Sequence, residues 1–272
     1  MCYSFKISAG SYYRWKKYPV GKVQKRQQSL KNRIKALFYD FKTRYGSTRI
    51  TVELNALGLP VCHATVSKLM KEMNLQARRK RKFRVTTNSK HNYRIMPNLL
   101  KRNFDVERKG QVWVSDITYI ETKAGWLYLT VILDLYDRKV VGWAMSTTMS
   151  ARRTVIAAWH MAMINRPLSD KLIFHSDRGV QYACDAFATM LDKNQFVKRS
   201  MSRKGDCWDN AVAESFFKSL KIEEVYEKKY ENQQEAKIAI FEYIEGFYNR
   251  NRRHSALGYL TMTEFEKLNH AA

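Results

Sequence analysis

The sequence predicts a two-part α/β chain, a mostly helical N-terminal part followed by a mixed sheet flanked by helices. Apolar residues recur at helical spacing through the first part and give way to β-rich runs at Gln111. Beyond Gln111 three strand-like runs come in succession, and helices and strands then alternate. The charge divides at the same place. Residues 1–110 carry 27 lysines and arginines against 5 acids, a net of +22, whereas residues 111–272 carry the remaining 22 and 20, a net of +2. The whole chain, at 272 residues and +24, has the electrostatics of a polyanion binder.

Residues 1–27 read as a basic N-terminal segment. Within 28–44, Leu30, Ile34, Leu37, Phe38 and Phe41 mark a helix with a basic outer face. A second helix spans Thr48–Leu57 and ends at Gly58-Leu59-Pro60. A third spans Ala64–Met73, with Val66, Leu69, Met70 and Met73 on one side. Helix, short turn, helix fits both a helix-turn-helix module and an ordinary three-helix bundle; the surplus of cations favours the DNA-binding module. Arg78, Arg79, Lys80, Arg81, Lys82 and Arg84 follow as six cations in seven residues, a run that seeks phosphates. A helix-turn-helix domain with its basic arm is therefore expected over 28–84, and a linker over 85–108.

The C-terminal part, 109–272, opens with strands at Val112–Glu121, Trp126–Tyr136 and Lys139–Ser146. A helix (Ala151–Asn165), a strand (Lys171–His175), a helix (Tyr182–Asn194) and a strand (Phe196–Ser200) come next. A loop, Met201–Asp209, leads into a long helix from Asn210 to about Tyr226, with Asp209 placed as its N-cap. Helices at Gln233–Asn249 and Thr263–Asn269 close the chain. Three antiparallel strands followed by alternating helices and strands is the RNase H-like order.

Three acids stand out. Asp116 lies mid-strand in an apolar run, where a charge is costly unless paired or bound to metal. Asp177 lies just after the fourth strand, and Glu214 lies on the long helix. Two strands and a helix can bring these three together, and three carboxylates stay ionised together only with cations. Two Mg²⁺ ions about 3.5–4 Å apart are the recurring device of phosphodiester chemistry. Lys218 and Lys221 project onto the face of Glu214, where they either grip phosphates beside the cut or form surface pairs. Asp134 and Asp137 read as turn residues. Cys2, Cys62, Cys184 and Cys207 form no C-x-x-C pattern and read as reduced thiols. The basic start and the lack of a long apolar run predict no membrane span.

Trp113-Val114-Ser115-Asp116-Ile117-Thr118-Tyr119-Ile120, Gly125 to Leu129, Val141-Gly142-Trp143, His175-Ser176-Asp177-Arg178-Gly179 with Gln181-Tyr182, Asp209-Asn210-Ala211-Val212-Ala213-Glu214-Ser215-Phe216-Phe217 and Tyr248-Asn249 through His254 to Leu260 occur in that order. Together they resemble the integrase-core transposases, in particular the second-reading-frame type of insertion-sequence family three, from about Arg44 to Glu266. The resemblance implies a DDE recombinase that cleaves and transfers DNA strands, with Asp116, Asp177 and Glu214 as catalytic metal ligands. It implies two Mg²⁺, with Mn²⁺ able to substitute. Arg178, Arg203, Lys204 and His254 join Lys218, Lys221 and the basic arm as expected DNA contacts. The expected partners are double-stranded DNA (the element's terminal inverted repeats and a target), further copies of the chain on that DNA, and the first-reading-frame product or its fusion. The expected location is the bacterial cytoplasm, on the nucleoid. The family typically has 35 residues between the second aspartate and the glutamate; here there are 36, with the extra residue apparent near Lys198-Arg199. A leading module of the kind the first frame supplies is not evident, nor is the zinc module of retroviral integrases. A non-catalytic DNA-binding regulator and an RNase H-like nuclease remain alternative readings.

Overall fold

In the computed structural model, the structure describes residues 7–18, 21–78, 93–168, 170–204 and 206–270. The chain forms two compact units, Met1–Arg79 and Lys80–Ala272.

The first unit holds α1 (Ala9–Lys17), α2 (Lys22–Asp40), α3 (Ser47–Ala56) and α4 (His63–Glu72). Its core is the apolar stripe read from the sequence: Ile34, Leu37 and Phe38 of α2, Ile50 and Leu54 of α3, and Val66, Leu69 and Met70 of α4, around Tyr45. Gly58, at φ +74°, closes α3. Its amide donates to Asn55 and that of Leu59 donates to Leu54, a paired motif that needs a left-handed residue. Helical structure starts earlier than the apolar pattern predicts. α1 buries no residue, so no stripe marks it, and α2 gains about a turn and a half of polar and basic residues before its first apolar contact.

The second unit is built on a five-stranded sheet of β1 (Val112–Thr122), β2 (Gly125–Asp134), β3 (Val140–Ser146), β4 (Leu172–Ser176) and β5 (Val197–Met201), in the order β3-β2-β1-β4-β5. β1, β2 and β3 pair antiparallel, and β4 and β5 run parallel to β1 and to each other. This is the RNase H-like arrangement the element order predicts. A parallel partner for β1 requires a crossover, which α5 (Ala157–Asn165) supplies. Gly142 of β3 lets α5 approach: a Cβ there would lie 2.3 Å from the Ala158 carbonyl oxygen. Trp113, Trp159, Phe174 and Phe187 fill the layer between this face of the sheet and its helices.

The expected helix over Tyr182–Asn194 is two helices, α6 (Val180–Ala183) and α7 (Asp185–Asp192), separated by an extended Cys184. The long helix begins as a 3₁₀ turn at Cys207–Asn210, becomes α8 (Ala211–Leu220) and continues as a π-helical stretch over Lys221–Val225. α9 (Gln233–Phe241) likewise runs into a π-helical stretch, Glu242–Tyr248, and α10 (Met262–His270) follows. Among the described residues no helix is long and apolar enough to cross a membrane.

Two expectations change here. Lys198 and Arg199 lie within β5 and pair with Ile173 and Phe174 in unbroken register, so no residue is looped out there. Asp134 and Asp137 are more than turn formers. Both are fully buried and share Arg166, at 2.6 Å each, while Asp134 also accepts from Trp113 Nε1 and the Gly110 amide. Burial pushes the Asp134 carboxyl up and Arg166 opposes it. The arginine thus joins the end of the α5 crossover to the β2–β3 turn.

Removing that cation strands two buried acids. Arg166→Met should destabilise the fold by about 3–5 kcal/mol, read as a lower midpoint in urea unfolding. A loss under 1 kcal/mol would mean that water reaches the two aspartates.

Candidate active site

The site starts from strand pairing. Ser115 of β1 is the parallel partner of Ser176 of β4, so the next residues along each strand, Asp116 and Asp177, come side by side at the end of the ladder. Adjacent strands lie about 4.8 Å apart, which puts the two carboxylates within direct repulsion. The Ile117 amide donates to Asp116 Oδ1 at 2.8 Å, and the Gly179 amide donates to Asp177 Oδ1 at 2.9 Å. Burial and the neighbouring Asp177 hold the Asp116 carboxyl well above the usual aspartate range, and Glu214 pushes the same way.

Glu214 is one turn into α8. Asn210, at the entry to that helix, donates from Nδ2 to the Ser115 carbonyl oxygen at 3.0 Å and so holds α8 against β1 beside Asp116. Burial raises the Glu214 carboxyl too, although its side chain is exposed. The structure brings Asp116 and Asp177 together and keeps Glu214 within their field. Among the described residues no group of three acidic, histidine or cysteine side chains converges as a metal-ligand set. The donor chemistry nonetheless fits a hard divalent cation: oxygen ligands only, and two like charges whose proximity favours whatever neutralises them.

The two expected lysines separate. Lys218 is exposed one turn from Glu214, whereas Lys221 is half-buried. Burial lowers the Lys221 ammonium and the charge of Asp116 opposes that shift, so this lysine sits in the field of the carboxylates. The π-helical stretch begins at Lys221 and breaks the 100° projection that put both residues on one face.

The other expected DNA contacts are placed differently from one another. Lys204 is exposed. Arg178 donates from Nε to the Ser202 carbonyl oxygen at 2.6 Å. Arg203 is exposed but engaged with Asp209 and Asp206. Arg78 donates to Thr43 at 3.2 Å within the first unit. Arg79, Lys80, Arg81, Lys82 and Arg84 lie outside the described residues. His254 is a correction: it is buried, its ring edge-on to Tyr248 at 4.8 Å, and belongs to the packing beneath the C-terminal helices.

Asp209 is a second correction. Its side chain caps no helix. It is fully buried and accepts from Arg203 (N, Nε and Nη2), Arg102 Nε and Asn98 Nδ2 at 2.8–3.0 Å. These donors hold its carboxyl well below the ordinary range, Arg203 most of all. Arg102 also pairs with Asp206. The segment expected to be a plain linker is therefore fastened to the loop that leads into α8, and Leu100 is buried with it. Nothing in the local sequence marks a contact across more than a hundred residues. His175 is the other residue missed. It bridges Ser200 and Ser202 at 2.8 and 3.1 Å, and burial lowers it to about 4, so it is neutral beside the two aspartates.

Family models match most of the chain in three pieces: an HTH-like domain over residues 25–83, an integrase core domain over 106–207 and a second integrase core domain over 195–261. An insertion element IS600 uncharacterized 31 kDa protein of Shigella sonnei is 40% identical over 270 residues, 99% of this chain and 98% of that protein. The transposase InsF for insertion sequence IS3A of Escherichia coli (strain K12) is 37% identical over 271 residues, 99% and 93% respectively. Among solved structures, the HTLV-2 integrase catalytic core domain in complex with magnesium has a TM-score of 0.39 at 15% identity, covering 57% of this chain and 94% of that one. The catalytic domain of Mos1 mariner transposase has a TM-score of 0.42 at 14% identity, covering 51% and 71%.

The raised Asp116 carboxyl has a linkage consequence. The folded chain holds its proton more tightly than the unfolded chain, so the metal-free fold is favoured below the ordinary aspartate range and loses stability as pH rises toward the folded value. A cation should reverse that loss. Added Mg²⁺ should raise the melting temperature more at pH 8 than at pH 5, and Asp116→Asn should abolish the difference. An equal rise in the variant would remove Asp116 from the metal site.

Proposed function

This chain belongs to the integrase-core transposases of bacterial insertion sequences, and on that premise we propose that it cuts and joins DNA at a divalent-metal site of Asp116, Asp177 and Glu214. The observation that carries the reading is the pairing of β1 with β4, which lines up Asp116 with Asp177 beside the helix that bears Glu214. Two Mg²⁺, replaceable by Mn²⁺, would supply Lewis acidity to the attacking and leaving oxygens of an in-line displacement.

The chain's own part is to hold and to place. Asp116, within β1, and Asp177, just past the end of β4, fix the site, and Glu214 closes it from α8. The strand is first hydrolysed at an element end, and the freed 3′-hydroxyl then attacks a second phosphodiester. No covalent link to protein is needed, because positioning carries a large share of the barrier. Lys218, exposed beside Glu214, is the candidate grip for a neighbouring phosphate. α4 presents Thr65, Ser67, Lys68 and Lys71 on its exposed face, as a recognition helix would. Holding two element ends together calls for at least two copies of the chain.

The test uses DNA that carries the element's own ends. Glu214→Gln, Asp116→Asn and Asp177→Asn should each abolish cutting and joining while end affinity stays within a few-fold. Near-normal cutting by any of them would remove that residue from the site.

The lysines give a second test. Lys218→Ala should weaken end binding and lower the salt slope of log affinity by roughly 0.9. Lys221→Met should leave the slope unchanged and slow cutting. An unchanged slope for Lys218→Ala would turn that lysine away from DNA.

A further inference from the structure

Each acid of the proposed site sits in a different segment, and Ser115 is hydrogen-bonded to a residue near each of the other two: Asn210 at the entry to α8 and Tyr182 on α6, the helix that follows Asp177. Ser115 precedes Asp116 on β1 and is fully buried. Its carbonyl oxygen accepts from Asn210 Nδ2, four residues before Glu214. Its hydroxyl donates to the Val131 carbonyl oxygen at 2.8 Å and lies 2.7 Å from the hydroxyl of Tyr182, five residues after Asp177. Because Ser115 has one hydroxyl proton and the Val131 carbonyl takes it, Tyr182 is the donor in that contact. Asn210 and Tyr182 therefore both donate to Ser115, and all three residues are buried.

Two details separate it from ordinary packing. An asparagine at a helix entry normally accepts from the first turn; Asn210 makes no such cap and donates across to β1 instead. Its Oδ1 is buried with no partner among the described residues, an unmet acceptor that a merely space-filling residue would not carry. Immediately before it, Asp209 fastens the same helix entry to Arg203, Arg102 and Asn98, so the turn that leads into α8 is held from two sides.

We propose that Asn210 and Tyr182 are positioning residues, whose separate bonds to Ser115 set how the entry to α8 and the helix after Asp177 sit against β1, and through them the separation of Asp116, Asp177 and Glu214. The inference rests on the metal-site reading above. Neither side chain is assigned contact with DNA or metal. Their effect passes through the carboxylates, as with the partners that orient metal ligands elsewhere.

The experiment uses the full chain. Tyr182→Phe keeps the ring against Phe174 and Phe187 and removes only the hydroxyl; Asn210→Ala removes the donor. Four quantities are measured beside wild type: melting temperature without metal, Mn²⁺ affinity from the electron paramagnetic resonance of the free ion, and kcat and KM for nicking end DNA. The proposal expects Tyr182→Phe to melt within a few degrees of wild type. Mn²⁺ affinity should fall on the order of tenfold to a hundredfold. kcat should fall at unchanged KM, with part of the loss recovered at high Mn²⁺. Variants that bind Mn²⁺ and nick like wild type overturn the positioning role and leave the active site standing. So does lost activity that matches lost folded protein while the folded fraction keeps wild-type Mn²⁺ affinity. A wild-type chain that neither binds Mn²⁺ nor nicks DNA overturns the metal-site reading and this proposal with it. If Asn210→Ala does not fold, Tyr182→Phe decides alone.

Discussion

Parallel pairing of β1 and β4 forces two aspartates to the same end of one ladder, and much of the second unit follows from that enforced repulsion. The parallel pair needs the α5 crossover, and α5 needs Gly142 to come close enough to cover the sheet. Behind β4, His175 could have supplied a compensating charge. Burial lowers its pKa to about 4, so it stays neutral and serves as a stitch to β5. Lys221 approaches from the far end of α8 and offsets part of the negative field of Asp116. On the proposed reading, a divalent cation would relieve the repulsion between the two carboxylates.

The acids of this unit have a second use that the charge count conceals. Asp134 and Asp137 with Arg166, Asp209 with Arg203 and Arg102, and Glu223 with Arg252 are buried or half-buried clusters. Glu223 takes both Nε and Nη2 of Arg252 and also the hydroxyl of Tyr243, so its acceptors are well filled. The planar guanidinium suits such forked contacts better than an ammonium would. Asp134, Asp137, Asp209 and Glu223 are thus spent on arginine partners inside the fold. An acid in a basic protein is as readily an anchor for an interior arginine as a metal ligand.

Much of the sheet could be read from the sequence because strand period, hairpin separators and crossover lengths are local properties. β1 to β5 lie close to where the pattern puts them. Asp116 and Asp177 were legible for the same reason, since a charge in an apolar strand and a charge just past one are visible in a short window. Asp209 was misread because its partners, Asn98 and Arg102, are over a hundred residues away. α1 was invisible because it buries nothing. His254 is expected to contact DNA but packs edge-on against Tyr248, because composition cannot tell a histidine that lies against a ring from one that faces solvent.

The π-helical stretch after α8 has a further consequence for comparing relatives. Up to Leu220 each residue advances the azimuth of the helix by the ordinary step; over Lys221–Val225 the turn is wider, and Glu223 is swung inward to Arg252. A wide turn takes in one extra residue without disturbing the helix before it. Two homologous chains can therefore align without a gap past Lys221 and still point the aligned side chains in different directions. Equivalence there is better judged by which residue occupies the inward slot against Arg252 than by column number.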